Sequence, residues 1–214
     1  MIKTIIFDFD GVLVESNSIK TEAFGALFKG KCSDEQHRQI VQHHIDNLGV
    51  SRYKKFVHIY RGILGKDIGQ VELDELSRSF SELVVERVVE AQAVRGVMDF
   101  LRNNTKYRCF VVSATPHVEI NRIVRLRSME KYFEGIYGSP REKDALINDI
   151  QRSGRDPAET VVYIGDGMND YRAATKCGVH FIARIHEYNE EMLSLDCPKV
   201  HDLQDIEQEL QRLG

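Results

Sequence analysis

Short apolar runs bounded by turn-forming residues punctuate the chain at Ile2 to Phe7, Cys109 to Val112, Val161 to Ile164 and Val179 to Ala183. Near-continuous apolarity over so few residues marks strands buried on both faces, as the strands of a parallel sheet are. Gly135-Ile136-Tyr137 is a weaker fifth run. Between the later runs the apolar period lengthens to that of a helix, over Gly96 to Arg102, Pro116 to Ser128, Glu142 to Gln151 and Met168 to Cys177. Gly178 is placed to end the last of these as a left-handed cap. This alternation predicts an α/β fold built on a doubly wound, Rossmann-like parallel sheet.

From Asp10 to the second strand the pattern is helical throughout, with amphipathic stretches at Ser18 to Phe28, Asp34 to Asn47, Tyr53 to Ile63 and Leu73 to Val89. A crossover between parallel strands needs only about a dozen residues. The excess predicts an inserted all-helical cap domain, residues 15–93, on a core made of residues 1–14 and 94–214. Leaving the core directly after the first strand, it is expected over the active site as a lid. His201 to Leu213 predicts a last amphipathic helix packed on the sheet.

The chain has 214 residues, enough for a substantial core. Its 29 Lys+Arg against 33 Asp+Glu give a formal charge of −4. No basic footprint favours nucleic acid or an anionic membrane, so the expected partner is a small soluble metabolite, met by a monomer or weak dimer. The four cysteines, Cys32, Cys109, Cys177 and Cys197, form no C-x-x-C pair and point to neither a zinc site nor a disulfide framework. The first apolar run stops at Asp8, and no run approaches the roughly 18 residues of a membrane span. The expected location is the cytoplasm.

The chemistry sits at the strand ends. Asp8-Phe9-Asp10-Gly11 follows the first run, where a buried strand has no structural need for two carboxylates. Ligands of open α/β sheets bind outside the carboxyl ends of the strands, and a hard divalent cation is the counter-charge such acids call for. An Asp-Gly turn alone would also account for the string. Ser113-Ala114-Thr115-Pro116 follows the second run, with Thr115 placed as N-cap and Pro116 as first helical residue; it reads as a phosphate-holding helix start or a plain strand-to-helix turn. Gly165-Asp166-Gly167-Met168-Asn169-Asp170 repeats the pattern of acids after an apolar run, although Asp166 or Asn169 could simply cap the next helix. Lys143 lies early in a helix and, alone, is a surface charge.

In this order, these pieces resemble the haloacid dehalogenase superfamily of phosphohydrolases, and the resemblance covers nearly the whole chain. D-x-D-G matches Asp8 to Gly11, a Ser or Thr ending a strand matches Ser113, a lysine matches Lys143, and G-D-x-x-x-D matches Gly165 to Asp170. The helical insertion resembles the C1-type cap of phosphoglycolate phosphatases and β-phosphoglucomutases, and Gly49-Val50-Ser51-Arg52 resembles its specificity loop. The resemblance implies Asp8 as nucleophile forming an aspartyl-phosphate and Asp10 as general acid, then base. It implies Mg²⁺ held by the Asp8 carboxylate, the Asp10 carbonyl and Asp166, with Asp170 in support. Ser113, the Ala114 N–H and Lys143 would bind the phosphoryl oxygens, with Gly11 beside them on the substrate side.

An acid at Asp10 sets the chain apart from the dehalogenases and phosphonate-cleaving members of that superfamily. Lys20 stands where β-phosphoglucomutases carry a His, which favours a phosphatase over a phosphomutase. A non-catalytic binding or regulatory module is the alternative from another class. Glu15 stands where Asp is common. Arg52 is the expected substrate-facing residue of the cap, since a guanidinium suits a second phosphate or carboxylate; a basic stretch with Lys54 and Lys55 on the surface is its structural alternative. His43 and His44, adjacent on a helix, face different ways and are not expected to share a metal. His117 lies just past the Ser113 turn, within reach of the cleft.

Overall fold

In the computed structural model, which describes residues 1–213, the first strand, β1 (Thr4–Phe7), is wholly buried along its length. The period-2 geometry of a strand divides its side chains between two cores. Ile5 and Phe7 face one side of the sheet together with Val97, Ile120 and Ile206; Ile6 faces the other with Leu146, Ile147 and Ala174. Only a strand covered by helices on both faces can use an unbroken apolar run in this way.

The elements that follow are α1 (Asn17–Phe28), α2 (Asp34–Ile45), α3 (Arg52–His58), α4 (Gln70–Glu90), α5 (Val97–Asn103), β2 (Arg108–Pro116), α6 (His117–Leu126) and β3 (Gly135–Ser139). They are completed by α7 (Lys143–Gly154), β4 (Val161–Gly165), α8 (Met168–Cys177), β5 (His180–Arg184), β6 (Lys199–Val200) and α9 (Ile206–Arg212). All strand pairs are parallel and the sheet order is β3-β2-β1-β4-β5-β6. The winding reverses between β1 and β4, the neighbours that carry the two acidic turns at their ends. That reversal opens the crevice where doubly wound sheets bind ligands.

Helices α1 to α4 form an insertion between β1 and α5. Its two connections run side by side: Glu15 N–H donates to the Gln92 carbonyl at 2.9 Å, and Val94 N–H to the Leu13 carbonyl at 3.1 Å. The insertion has its own aromatic centre, with Phe24 4.7 Å from Phe80 and 5.5 Å from Phe56 between ring centroids. A capping box between Ser33 and Gln36 starts α2. None of the helices among the described residues is long and apolar enough to cross a membrane.

Several boundaries differ from the sequence reading. The expected helix over Tyr53 to Ile63 is α-helical only to His58 and continues as a π-helical turn, Ile59–Ile63. The final helix starts later than His201, because Leu203 N–H is tied to the Arg95 carbonyl at 2.9 Å and the chain docks there before turning helical. At that contact a Cβ on Gly96 would lie 2.3 Å from Gln204 N, so the residue is Gly. β6 is an edge strand too short to leave a pattern. Thr115 does not cap α6: β2 continues through it, Pro116 takes the N-cap place, and the Thr115 hydroxyl is drawn into the site at the sheet edge.

Candidate active site

The turn after β1 begins while Asp8 N–H still donates to the Ile164 carbonyl of β4 at 2.9 Å, so the Asp8 backbone is fixed by the sheet. The Asp8 carboxylate accepts from Phe9 N–H at 2.7 Å, and Phe9 turns into the core. Gly11 follows at φ +73°, where a Cβ would stand 2.1 Å from Asp166 Oδ2 and 2.2 Å from Asn17 Nδ2. Both the left-handed backbone and the approach of Asp166 require glycine there.

Asp8, Asp166 and Asp170 converge so that one carboxylate oxygen from each lies within 4.8 Å of the others. All three are buried, at 3 %, 1 % and 0 % exposure. Lys143, first residue of α7 and equally buried, pairs with Asp8 at 3.1 Å and with Asp170. One ammonium does not balance three carboxylates. Burial, and then the charges of Asp170 and Asp166, push the Asp8 carboxyl well above its ordinary range despite Lys143. Asp170 is raised for the same reason, burial first, with Asp166 adding to it and Lys143 opposing. Burial works against the Lys143 ammonium, but Asp170 and Asp8 outweigh it and hold its pKa above that of a free lysine. An all-oxygen donor set with unbalanced negative charge fits a hard divalent cation.

Asp170 is held from three sides: Oδ1 by Lys143 and by Tyr163 OH at 3.1 Å, Oδ2 by Gly167 N–H at 3.1 Å. It is Asp170, rather than Asp166 or Asn169, that reaches back to cap α8. Asn169 instead donates to the Gly49 carbonyl of the insertion at 2.9 Å. The Leu48 carbonyl also closes on Gly167, where a Cβ would stand 2.5 Å from it.

Three residues around Asp166 carried no sequence signal. Asn17 Nδ2 donates to Asp166 Oδ2 at 2.8 Å, and His186 Nε2 lies 2.8 Å from the same oxygen. His186 Nδ1 accepts from Tyr188 N–H at 3.1 Å, which puts the ring proton on Nε2 and makes it a donor to Asp166. Two donors thus engage Oδ2 and leave Oδ1 for a cation. Asn189, fully buried, donates to the Asp166 carbonyl at 2.8 Å. Each is a lone polar residue, and only the fold brings them together.

Asp10 has a different environment. It accepts from Ser16 Oγ at 2.6 Å, from Thr115 Oγ1 at 3.1 Å, and from Lys20. Burial pushes its carboxyl up, but the Lys20 charge and these hydrogen bonds prevail and hold it below the ordinary carboxylate range. Lys20 also donates to Thr115 Oγ1 at 2.8 Å. Ser113 is buried within β2, just past Val112, where the regular pairing with β3 breaks; its hydroxyl accepts from Thr115 N–H at 3.1 Å, and Ala114 lines the cavity beside it.

That cavity has a volume of about 50 Å³, with Asp8, Asp10, Ala114 and Asp166 on the core side. The insertion supplies its roof: Phe24, His44, Gly49, Val50, Lys55 and Phe80. Arg52 also lines it, yet its guanidinium is held by Glu119 of α6 through both nitrogens and by Ser81 Oγ at 2.8 Å. His43, half-buried, stacks on His58 at 4.0 Å between centroids and shares no ligand geometry with His44. His117 is exposed and outside the cavity lining. Glu15 pairs with Arg184 of β5 at 2.5 Å.

Among solved structures the chain is similar to CbbY from Rhodobacter sphaeroides in complex with phosphate, at 20 % identity and TM-score 0.74 over 96 % of each chain. A variant of that protein in complex with xylulose-1,5-bisphosphate gives 19 % identity and TM-score 0.74 over 96 % of each chain. A predicted phosphoglycolate phosphatase from Haemophilus somnus 129pt gives 18 % identity and TM-score 0.73 over 97 % of each chain. No curated protein matches the sequence. The profile of the haloacid dehalogenase-like hydrolases matches residues 5–184, from β1 to the end of β5, so that it takes in both acidic turns, the insertion and Lys143. The chain belongs to the haloacid dehalogenase-like hydrolase family.

Proposed function

We propose that the protein is a Mg²⁺-dependent phosphatase that hydrolyses a small phosphomonoester, a sugar phosphate or short phosphorylated acid, through an aspartyl-phosphate on Asp8, with residues 15–93 as its cap. The observation that carries this reading is the contrast between two carboxylates of one turn. Asp8 shares Lys143 with Asp170 and clusters with Asp166 as well, whereas Asp10 is held by Lys20, Ser16 and Thr115. Differing environments for neighbouring acids separate nucleophile from proton carrier.

The cation would be held by Asp8 and Asp166, with Asp170 in support, and would supply charge neutralisation for the incoming phosphate dianion. The chain's own groups account for the rest. Asp8, fixed by the β4 carbonyl and Phe9 N–H, attacks phosphorus in line with the departing alcohol oxygen; the P–O bond to that oxygen breaks as the bond to Asp8 forms. Lys143, Ser113 and the Ala114 N–H hold the equatorial oxygens. Asp10 is held as a carboxylate, so the departing oxygen takes its proton from the Lys20 ammonium by way of Asp10, which leaves the Asp10–Lys20 pair one proton short. Water then gives a proton back to the Asp10–Lys20 pair as it attacks the phosphoryl group and frees Asp8. The Leu48–Val50 loop, resting on Gly167 and Asn169, excludes bulk water during these steps. The CbbY structures, which hold phosphate and a sugar bisphosphate, support a phosphorylated ligand for this fold.

The test is phosphate release from a panel of phosphorylated metabolites with Mg²⁺ or with chelator, using wild type and Asp8→Asn. Expected are release that needs Mg²⁺ and loss of at least about 10³-fold in kcat for Asp8→Asn, as for removal of a nucleophile, with a trapped phosphoenzyme in wild type only. Near-normal turnover by Asp8→Asn would overturn the assignment. An isomeric product with little free phosphate would identify a phosphomutase instead.

A further inference from the structure

Two side chains of the insertion line the cavity with donors that nothing accepts. Lys55 of α3 is 3 % exposed; its Nζ lies 3.0 Å from His44 Nδ1 and donates to the His44 carbonyl at 3.3 Å. No carboxylate among the described residues lies in ion-pair contact with it. An ammonium is only a donor, so His44 Nδ1 accepts and the ring proton sits on Nε2. His44 is 2 % exposed, and its Nε2 has no partner among the described residues. The ring is fixed by stacking on Phe24, 4.3 Å between centroids.

The roof therefore presents one ammonium N–H and one imidazole N–H, both buried and neither with an acceptor. Buried donors are nearly always paired, and a ligand rich in acceptor oxygens would satisfy both at once. Burial, and then the nearby Lys20 charge, bring the Lys55 pKa down to about 7; an anion is the counter-charge the site lacks. Arg52 differs, because Glu119 and Ser81 already satisfy its guanidinium.

We infer that Lys55, held in place by His44, is the residue of the insertion that binds a second anionic group on the substrate's leaving moiety, and that Arg52 is not. The inference rests on the phosphatase reading. A cavity of about 50 Å³ has the room of a few water molecules, which places that second group within a few atoms of the ester. The shared chemistry is a set of anionic oxygens, carboxylate or phosphate.

The test compares kcat/KM for three esters in the presence of Mg²⁺: ethyl phosphate, 2-phosphoglycolate and ethane-1,2-diol bisphosphate. Wild type is expected to prefer one of the two doubly anionic esters over ethyl phosphate by about tenfold to a hundredfold, the range of a charge-assisted hydrogen bond. Lys55→Met should collapse that ratio through KM, Lys55→Arg should restore part of it, and Arg52→Met should leave it standing. The carboxylate and phosphate arms tell which anion is read. A proportional fall for all three esters in Lys55→Met, or a ratio lost in Arg52→Met and kept in Lys55→Met, would overturn the inference.

Calorimetric binding of 2-phosphoglycolate and of the bisphosphate to Asp8→Asn, with and without Lys55→Met, separates this from failure of the phosphatase reading. If no ester is hydrolysed, a tenfold or greater loss of binding on Lys55→Met still supports the anion site. Equal binding to the two proteins rejects it.

Discussion

Arg52 of α3 and Glu119 of α6 form a two-pronged ion pair between the insertion and the core, with the side chains only 4 % and 10 % exposed. The guanidinium also lies 4.6 Å over the Phe80 ring, and Ser81 Oγ bonds the same carboxylate. A buried pair of this kind adds little net stability, whereas removing one partner strands the other and costs about 3–5 kcal/mol.

Glu119→Met should therefore destabilise the protein more than the double substitution Arg52→Met/Glu119→Met. A double-mutant cycle by chemical unfolding checks this, with an expected coupling of about 1–3 kcal/mol. Additive effects would mean that the pair does not hold the insertion to the core.

Gly11 is caught between its own backbone and Asp166. Gly11→Ala has to adopt positive φ, at about 1–2 kcal/mol, and its methyl group would displace the Asp166 carboxylate and Asn17. Expected is a protein that still folds, with lowered Tm, and that loses the rise in Tm which saturating Mg²⁺ gives wild type. Full Mg²⁺ stabilisation of Gly11→Ala would contradict the placement of Asp166 at the cation.

The histidines of α2 give the insertion a pH signature. Burial, then the charge of His58, lowers His43 to about 4, and burial, then Lys55, lowers His44 well below its ordinary value. The unfolded chain binds protons at these rings from about pH 6.5 downward while the folded chain does not. Stability is thus fully present above about pH 6.5 and is lost as pH falls towards the folded-state values. Asp8 and Asp170, raised in the folded protein, act in the opposite sense, so the informative quantity is a difference. The Tm gap between wild type and His44→Phe should shift in favour of the variant as pH drops from 7 to 5. A gap independent of pH would show that His44 protonates as readily folded as unfolded.

What could be read from the sequence follows from how local each cause is. β1 and β4 are legible because burial on both faces leaves mostly apolar residues, so the acids at Asp8 and Asp166 stand out against them. Thr115 misled because Thr-Pro is locally the chemistry of a helix start, while the contacts that decide its place, with Asp10 and Lys20, come from residues about a hundred positions away. Arg52 was legible as a residue of the cavity wall, but its partner Glu119 is a single exposed-looking acid on another helix. Asn17, His186 and Asn189 are isolated polar residues whose convergence on Asp166 exists only in the fold. Lys55 and His44 read as parts of a basic stretch and a polar helix until α2 and α3 pack together.

His186 offers the sharpest test of how Asp166 is positioned. Its Nδ1 is engaged by Tyr188 N–H, so Nε2 donates to Asp166 Oδ2 and, with Asn17, fixes that oxygen while no donor among the described residues engages Oδ1. Groups of this kind, one bond removed from a metal, govern affinity by fixing the ligand's orientation, and their loss typically costs about 10–100-fold in metal binding. His186→Phe keeps an aromatic ring of similar shape and removes the donor, while Asn17 still holds the carboxylate from the other side. The Mg²⁺ concentration for half-maximal phosphate release should therefore rise by about 10-fold or more, with kcat at saturating Mg²⁺ changed far less. Calorimetric Mg²⁺ binding should move by the same factor, and His186→Gln, which can still donate, should recover part of it. A variant with unchanged Mg²⁺ affinity and lowered kcat would place His186 at the reacting atoms instead, since orientation of a metal-holding carboxylate cannot lower turnover while leaving the metal equally well bound.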